Sequence, residues 1–195
     1  MFSSLRGLAV VVLAVLFVGG CVSPPGVSTQ DKRQAVLQMR SETLAKLYEL
    51  ESYAKARIGK SVGYAVFSNV GVNLILLSVA SGYGVVEDKS TGKRTYMKMA
   101  SGGLGIGLGV KDFRGVFVFT SRGALEQFVN SGWDASAQVD AAAKAGDKGA
   151  AWAGAVDVAP GIKLYQITEN GLALQATIQG TKYWKDAELN SQAGT

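Results

Sequence analysis

Three groups of residues in this chain could do chemistry by type and spacing. The first is Cys21, the one cysteine among 195 residues, set directly after Gly19-Gly20 at the end of "GLAVVVLAVLFVGG". Cation (Arg6), apolar run, small residues and cysteine follow in the order of a bacterial lipoprotein leader. In such a leader the thiol receives a diacylglycerol and becomes the mature N-terminus. The run is too short for a bilayer span of about 20 residues but suits a signal peptide. The second group is seven cations between residues 30 and 60: Lys32, Arg33, Arg40, Lys46, Lys55, Arg57 and Lys60. They face four carboxylates, Asp31, Glu42, Glu49 and Glu51. Spaced along one helix, such cations give either a solvated face with ion pairs such as Glu42–Lys46 and Glu51–Lys55, or a basic face for anionic headgroups.

The third group is "SGGLGIGLGV" (Ser101 to Val110), in which glycines crowd together as phosphate-cradling loops do. A dinucleotide fingerprint needs G-x-G-x-x-G between strand and helix, and a P-loop needs G-x-x-x-x-G-K-[ST]. Here Gly103, Gly105, Gly107 and Gly109 recur at every second residue, and Lys111 precedes Asp112. Both motifs fail, so no nucleotide partner is expected. Period two is that of a strand, with Leu104, Ile106, Leu108 and Val110 on one face and bare glycine on the other. A bare face lets a helix or an aromatic ring pack close, or it floors an apolar groove for a lipid chain.

Other chemistry is thin. The chain has no histidine, which removes Ser-His-Asp and Cys-His catalysis and imidazole zinc sites. A single cysteine forms no intrachain disulfide. The carboxylates do not fall at calcium-loop spacing. No catalytic residues, metal or cofactor are therefore expected, and the protein reads as a non-enzyme. The net charge of +5, one less without Arg6, suits anionic phospholipid better than nucleic acid for an exported protein.

The elements that must position these residues follow from pattern. Residues 1–20 read as a lipoprotein signal peptide and 21–29 as the lipidated cysteine and its tether. Residues 30–60 read as one amphipathic helix. Ser28 with Asp31 resembles a capping box, Gly59 stands near the end, and Val36, Leu37, Leu44, Leu47, Tyr48 and Ala54 recur at helical spacing. Residues 61–190 read as β-rich and form one domain with that helix, followed by a tail at 191–195. "VGYAVFSNV", "VNLILLSVA" and the doubly buried "GVFVFT" are strands, and "GYGVVED" and "RTYMKMA" flank a polar hairpin loop. "SRGALEQFVNSG" turns helical and stops at Gly132. "KLYQIT" and "LALQATIQGTKYW" meet at the tight turn Asn170-Gly171. The small-residue segment 135–161 reads as two weak strands, "AQVD" and "AVDV". The fold class is α+β: a curled, partly barrel-like antiparallel sheet with an N-terminal amphipathic helix and one short internal helix.

The succession from Ser61 to Asn190 resembles the SYLF family of lipid-binding domains, in its bacterial lipoprotein branch. "AVFSNV" (Ala65 to Val70), "SGYGVV" (Ser81 to Val86), the glycine run, "KDFRGVFVFTSRGALEQFVNSG" and "LYQITENGLALQATIQG" carry the resemblance. Ser68 stands where the family commonly has proline. The resemblance implies a β-dominated domain with an N-terminal helix that binds acidic phospholipid, with headgroup contacts among the seven cations of 30–60. Val22 takes the place of the aspartate that often marks inner-membrane retention, so the outer membrane's periplasmic face is the expected site. The partner is then an anionic phospholipid membrane. The rival expectation is an envelope scaffold that binds another protein. Tyr183 and Trp184 suit either a membrane interface or core packing.

Overall fold

The computed structural model describes residues 28–74, 77–104, 113–135, 152–168, 171–173 and 180–191. Residues 1–27, with Cys21 and the tether as far as Val27, and also Gly105, Gly107, Gly109 and "AQVD" lie outside the described residues. Helix α1 (Thr29–Leu50) starts at the expected capping box: Ser28 Oγ accepts from Asp31 N at 3.1 Å, and Asp31 Oδ2 accepts from Ser28 N at 3.3 Å. The expected single helix to Lys60 is two. Glu51 leaves helical geometry and its carboxylate accepts from Tyr53 N at 3.0 Å, after which α2 (Ala54–Lys60) begins. No glycine or proline announces that break. The turn lets Ala54 and Ile58 join Leu44 and Leu47 in one buried cluster. Gly59 lies inside α2, and Ser61 caps its end.

Nine strands follow among the described residues: β1 (Gly63–Leu74), β2 (Leu77–Asp88), β3 (Arg94–Leu104), β4 (Phe113–Phe119), β5 (Trp133–Asp134), β6 (Val156–Ala159), β7 (Ile162–Thr168), β8 (Gly171–Ala173) and β9 (Thr181–Lys185). Helix α3 (Arg122–Ser131) joins β4 to β5, and a four-residue helix α4 (Ala187–Asn190) follows β9. All pairings are antiparallel, in the order β5-β9-β3-β2-β1-β4-β7-β6, with β8 added to β7. The result is an α+β fold on a curled half-barrel sheet. "VNLILLSVA" is not a strand of its own: it carries the end of β1 and the start of β2. "AVDV" supplies β6, whose partner is β7, joined through Pro160 and Gly161 (φ 77°). The short α4 has a local signal that is easily passed over. Asp186 is followed by a small helical segment, and its Oδ1 accepts from Glu188 N and Leu189 N at 2.9 and 3.1 Å.

Strand alternation divides the buried residues into two clusters. Ala65, Phe67, Met97, Met99, Phe117, Phe119 and Tyr183 face inward, where α3 adds Leu125 and Phe128. Trp133 on β5 and Val158 on β6 join the same cluster from the two ends of the strand order, which only a curled sheet allows. Aromatic pairs there meet at angles, such as Phe67–Tyr183 at 4.8 Å and Phe67–Phe117 at 5.9 Å between centroids. Such edge contacts are each worth about 1 kcal/mol beyond burial. Tyr64, Val66, Val116, Val118, Tyr165 and Ile167 face outward under α1, α2 and α4. The run "GVFVF" is thus buried on both sides, as its unbroken hydrophobicity requires.

The hairpin of β2 and β3 is locked to α3 by a forked pair. Arg122 donates to Asp88 Oδ1 at 2.8 Å and to Oδ2 at 2.7 Å, and the guanidinium holds the carboxyl well below the usual carboxylate range. Because the folded pKa is depressed, the stabilisation is present above the unfolded value of about 4 and is lost as pH falls through the folded one. Asp88→Asn should therefore lower the thermal midpoint at pH 7, and the gap to wild type should narrow as pH falls below about 4. A gap independent of pH in circular-dichroism melts would exclude the carboxylate as its origin.

Candidate functional site

The outward face of the sheet is covered by helices only in part. One cross-strand row beyond their cover runs through Ser68 on β1, Tyr83 on β2, Lys98 on β3 and Trp184 on β9, in direct register. Tyr83 and Trp184 are each 42% exposed, among the few exposed large hydrophobic residues described. Lys98 stands between them with its Nζ 3.4 Å from Asp186 Oδ2. Arg114 on β4 continues the row opposite Ser68. Directly opposed side chains on a pleated face lie within about 5.5 Å at Cβ, so the row presents aromatic, cation and aromatic side by side. That combination suits the zone where apolar chains give way to charged headgroups. Residues 183 and 184 divide between the two roles open to them from sequence. Tyr183 is buried, its hydroxyl pKa raised by desolvation, while Trp184 faces out.

The seven cations of 30–60 do not form one face. Arg33 donates to the carbonyls of Leu189 and Ser191 at 2.9 and 2.5 Å, and its guanidinium lies over the Tyr96 ring. Arg40 donates to the Tyr64 hydroxyl and pairs with Glu87 at 2.8 Å. Burial raises the Tyr64 pKa, and the hydrogen bond from Arg40 opposes that rise. Arg57 donates to Ala153 O at 3.1 Å and to Tyr165 Oη at 3.0 Å, with Trp152 and Tyr53 against its plane. Lys32 meets Glu188 at 2.6 Å, and Lys46 meets Glu49 at 3.2 Å. Lys55 and Lys60 are exposed. The expected Glu42–Lys46 and Glu51–Lys55 pairs give way to others: Glu42 pairs with Arg114 at 3.6 Å and Glu51 with Arg57 at 4.0 Å. Helical spacing counts only neighbours on the same helix, whereas these partners come from the sheet and from α2. Beside Lys55 at the break between helices, Tyr53 is 68% and Leu50 38% exposed.

Of the glycine run, Gly103 falls on β3 opposite Ser78, on the parity shared by Met97, Met99 and Ser101. The close approach expected of a bare strand face is seen one strand over, in "SGYGVV". A Cβ on Gly84 would lie 2.3 Å from Phe67 Cδ1, and one on Gly82 would lie 2.3 Å from Ser68 O and 2.9 Å from Met99 Cγ. A ring fills the space that the missing side chain leaves. Among the described residues no cluster of three or more potential metal ligands occurs. No described helix is long and apolar enough to cross a membrane.

No family model matches the chain. It is similar to "Beta cell expansion factor A" of Aeromonas veronii, with 35% identity over 164 residues. That alignment takes in 83% of this chain and 60% of the relative, so the chain spans less than two thirds of the relative's length.

Proposed function

We propose that this chain is a lipoprotein of the cell envelope, anchored through Cys21 at the periplasmic face of the outer membrane, that binds anionic phospholipid without catalysis. The row of Tyr83, Lys98 and Trp184 carries the reading, since two half-exposed rings flank a cation on the uncovered sheet face. The SYLF-like order of motifs from Ser61 to Asn190 supports the same ligand class. Headgroup contact then falls to exposed lysines such as Lys55 and Lys60, with the half-buried Lys98 between the two rings, because the three arginines of 30–60 are engaged with carbonyls, hydroxyls and carboxylates of the fold. Each free cation near an anionic surface adds about 1 kcal/mol and weakens with salt. The relative's name specifies no ligand.

Residues 22–195, freed of the anchor, should co-sediment with phosphatidylcholine vesicles in proportion to added phosphatidylglycerol, and less as salt rises. Tyr83→Ala combined with Trp184→Ala should weaken that binding about tenfold, in line with the apolar area these rings would bury. Absence of binding to anionic vesicles at low salt would sink the lipid reading and leave an envelope scaffold for a protein partner. In the full chain, Cys21→Ser should abolish labelling by a fatty-acid probe and release the protein from membranes. Persistent labelling of that variant excludes Cys21 as the lipidated residue.

A further inference from the structure

The start of β3 frames a second basic feature. β9 pairs with β3 only as far as Lys185 opposite Met97, and α4 then takes over the edge. Asn190 Oδ1 accepts from Tyr96 N at 3.0 Å, and Tyr96 O accepts from Asn190 Nδ2 at 2.6 Å and from Asp186 N at 3.0 Å. Beside this junction lies a cavity of about 460 Å³, within the range of about 300–1,000 Å³ common for ligand pockets. Arg33, Lys93, Arg94 and Lys185 line it with Thr95 and Asn190, and no carboxylate does among the described residues. Arg33 is held in place by the carbonyls of Leu189 and Ser191. Lys185 Nζ donates to Asn130 Oδ1 at 3.1 Å, and Arg94 Nε lies 3.2 Å from Glu87 with 45% of its side chain exposed. Lys93 is exposed.

Four cations around one concavity repel one another and concentrate anions there. The Arg94 guanidinium and the two ammonium groups offer donors that suit tetrahedral phosphate oxygens, and Arg33, its Nε and Nη2 held by carbonyls, adds its charge. We infer that this cavity binds the phosphate group of a phosphate ester. The chemistry stands on the lining alone; that a membrane lipid supplies the phosphate rests on the lipid reading above.

The test uses the full chain in neutral detergent, titrated with inorganic phosphate and with glycerol 3-phosphate against chloride of equal ionic strength. Both phosphates should raise the thermal midpoint saturably where chloride does not. Lys93→Glu with Lys185→Glu should weaken the apparent affinity about tenfold or more. Lys93→Glu alone, which keeps the Lys185–Asn130 hydrogen bond, should show a smaller loss in the same direction and stands in if the double variant fails to fold. Glycerol 3-phosphate that displaces the protein from phosphatidylglycerol vesicles identifies a lipid headgroup as the source. Loss of glycerol 3-phosphate binding in the double variant, with vesicle binding intact, identifies a soluble ester. A response no different from chloride, or equal in wild type and variants, overturns the site. Vesicle binding that persists without a phosphate response removes the cavity and spares the lipid reading, whereas a phosphate response without vesicle binding does the reverse.

Discussion

Gly84→Ala will destabilise the protein by about 3 kcal/mol, at the upper end of the usual cost of overpacking. The added Cβ would lie 2.3 Å from Phe67 Cδ1 and 2.3 Å from the Val66 carbonyl oxygen. Neither neighbour can move freely. Val66 lies within the paired region of β1 and β2, and Phe67 is fully buried against Phe117, Phe128 and Tyr183. Relief requires the two strands to part or the aromatic cluster to open. The urea midpoint should fall while the denaturant slope stays unchanged. Gly59→Ala is the matched control: a Cβ there meets nothing within 4 Å, and the residue is helical. It should stabilise by up to about 1 kcal/mol through reduced freedom of the unfolded chain. A Gly84→Ala variant within about 0.5 kcal/mol of wild type would show that the contact with Phe67 does not constrain the fold.

Arg40→Ala should cost about 2 kcal/mol and leave vesicle binding of the folded protein unchanged. The guanidinium satisfies the Tyr64 hydroxyl, pairs with Glu87 at 2.8 Å and lies over the Tyr64 ring. With Arg40 and Glu87 only 18% and 20% exposed in their side chains, its removal leaves a poorly solvated carboxylate dependent on the more exposed Arg94. Glu87→Gln in the Arg40→Ala background should recover part of the loss, because the stranded charge is then gone. Lys55→Ala and Lys60→Ala should do the opposite, holding stability within about 0.5 kcal/mol while weakening binding to anionic vesicles. If Arg40→Ala instead leaves the urea midpoint in place and weakens vesicle binding, the arginine belongs to the membrane surface after all.

Much of the fold was legible because the signals are local. Ser28 with Asp31, Ser121 accepting from Ala124 N, and Gly132 at φ 72° mark helix ends through groups within a few residues of each other. Hairpins and buried strands follow from alternation and turn residues. The helix break at Glu51 was not legible, since it arises from docking of α2 on the outer cluster. The roles of the cations were hidden for the same reason: Arg33, Arg40 and Arg57 find partners 24 to 158 residues away along the chain. The cavity at the start of β3 gathers Arg33, Lys93, Arg94 and Lys185 from three distant stretches, so no window of sequence contains it.

The sequence by itself determined the α+β fold class and, with no histidine in the chain, the absence of histidine chemistry. These properties rest on composition, periodicity and capping, which are set by adjacent residues. Only the tertiary structure decided which glycines receive a ring, which of Tyr183 and Trp184 is buried, and which cations remain available to a ligand. Those outcomes depend on how the sheet curls and where the helices dock, and such long-range packing is a property of the whole chain rather than of any segment.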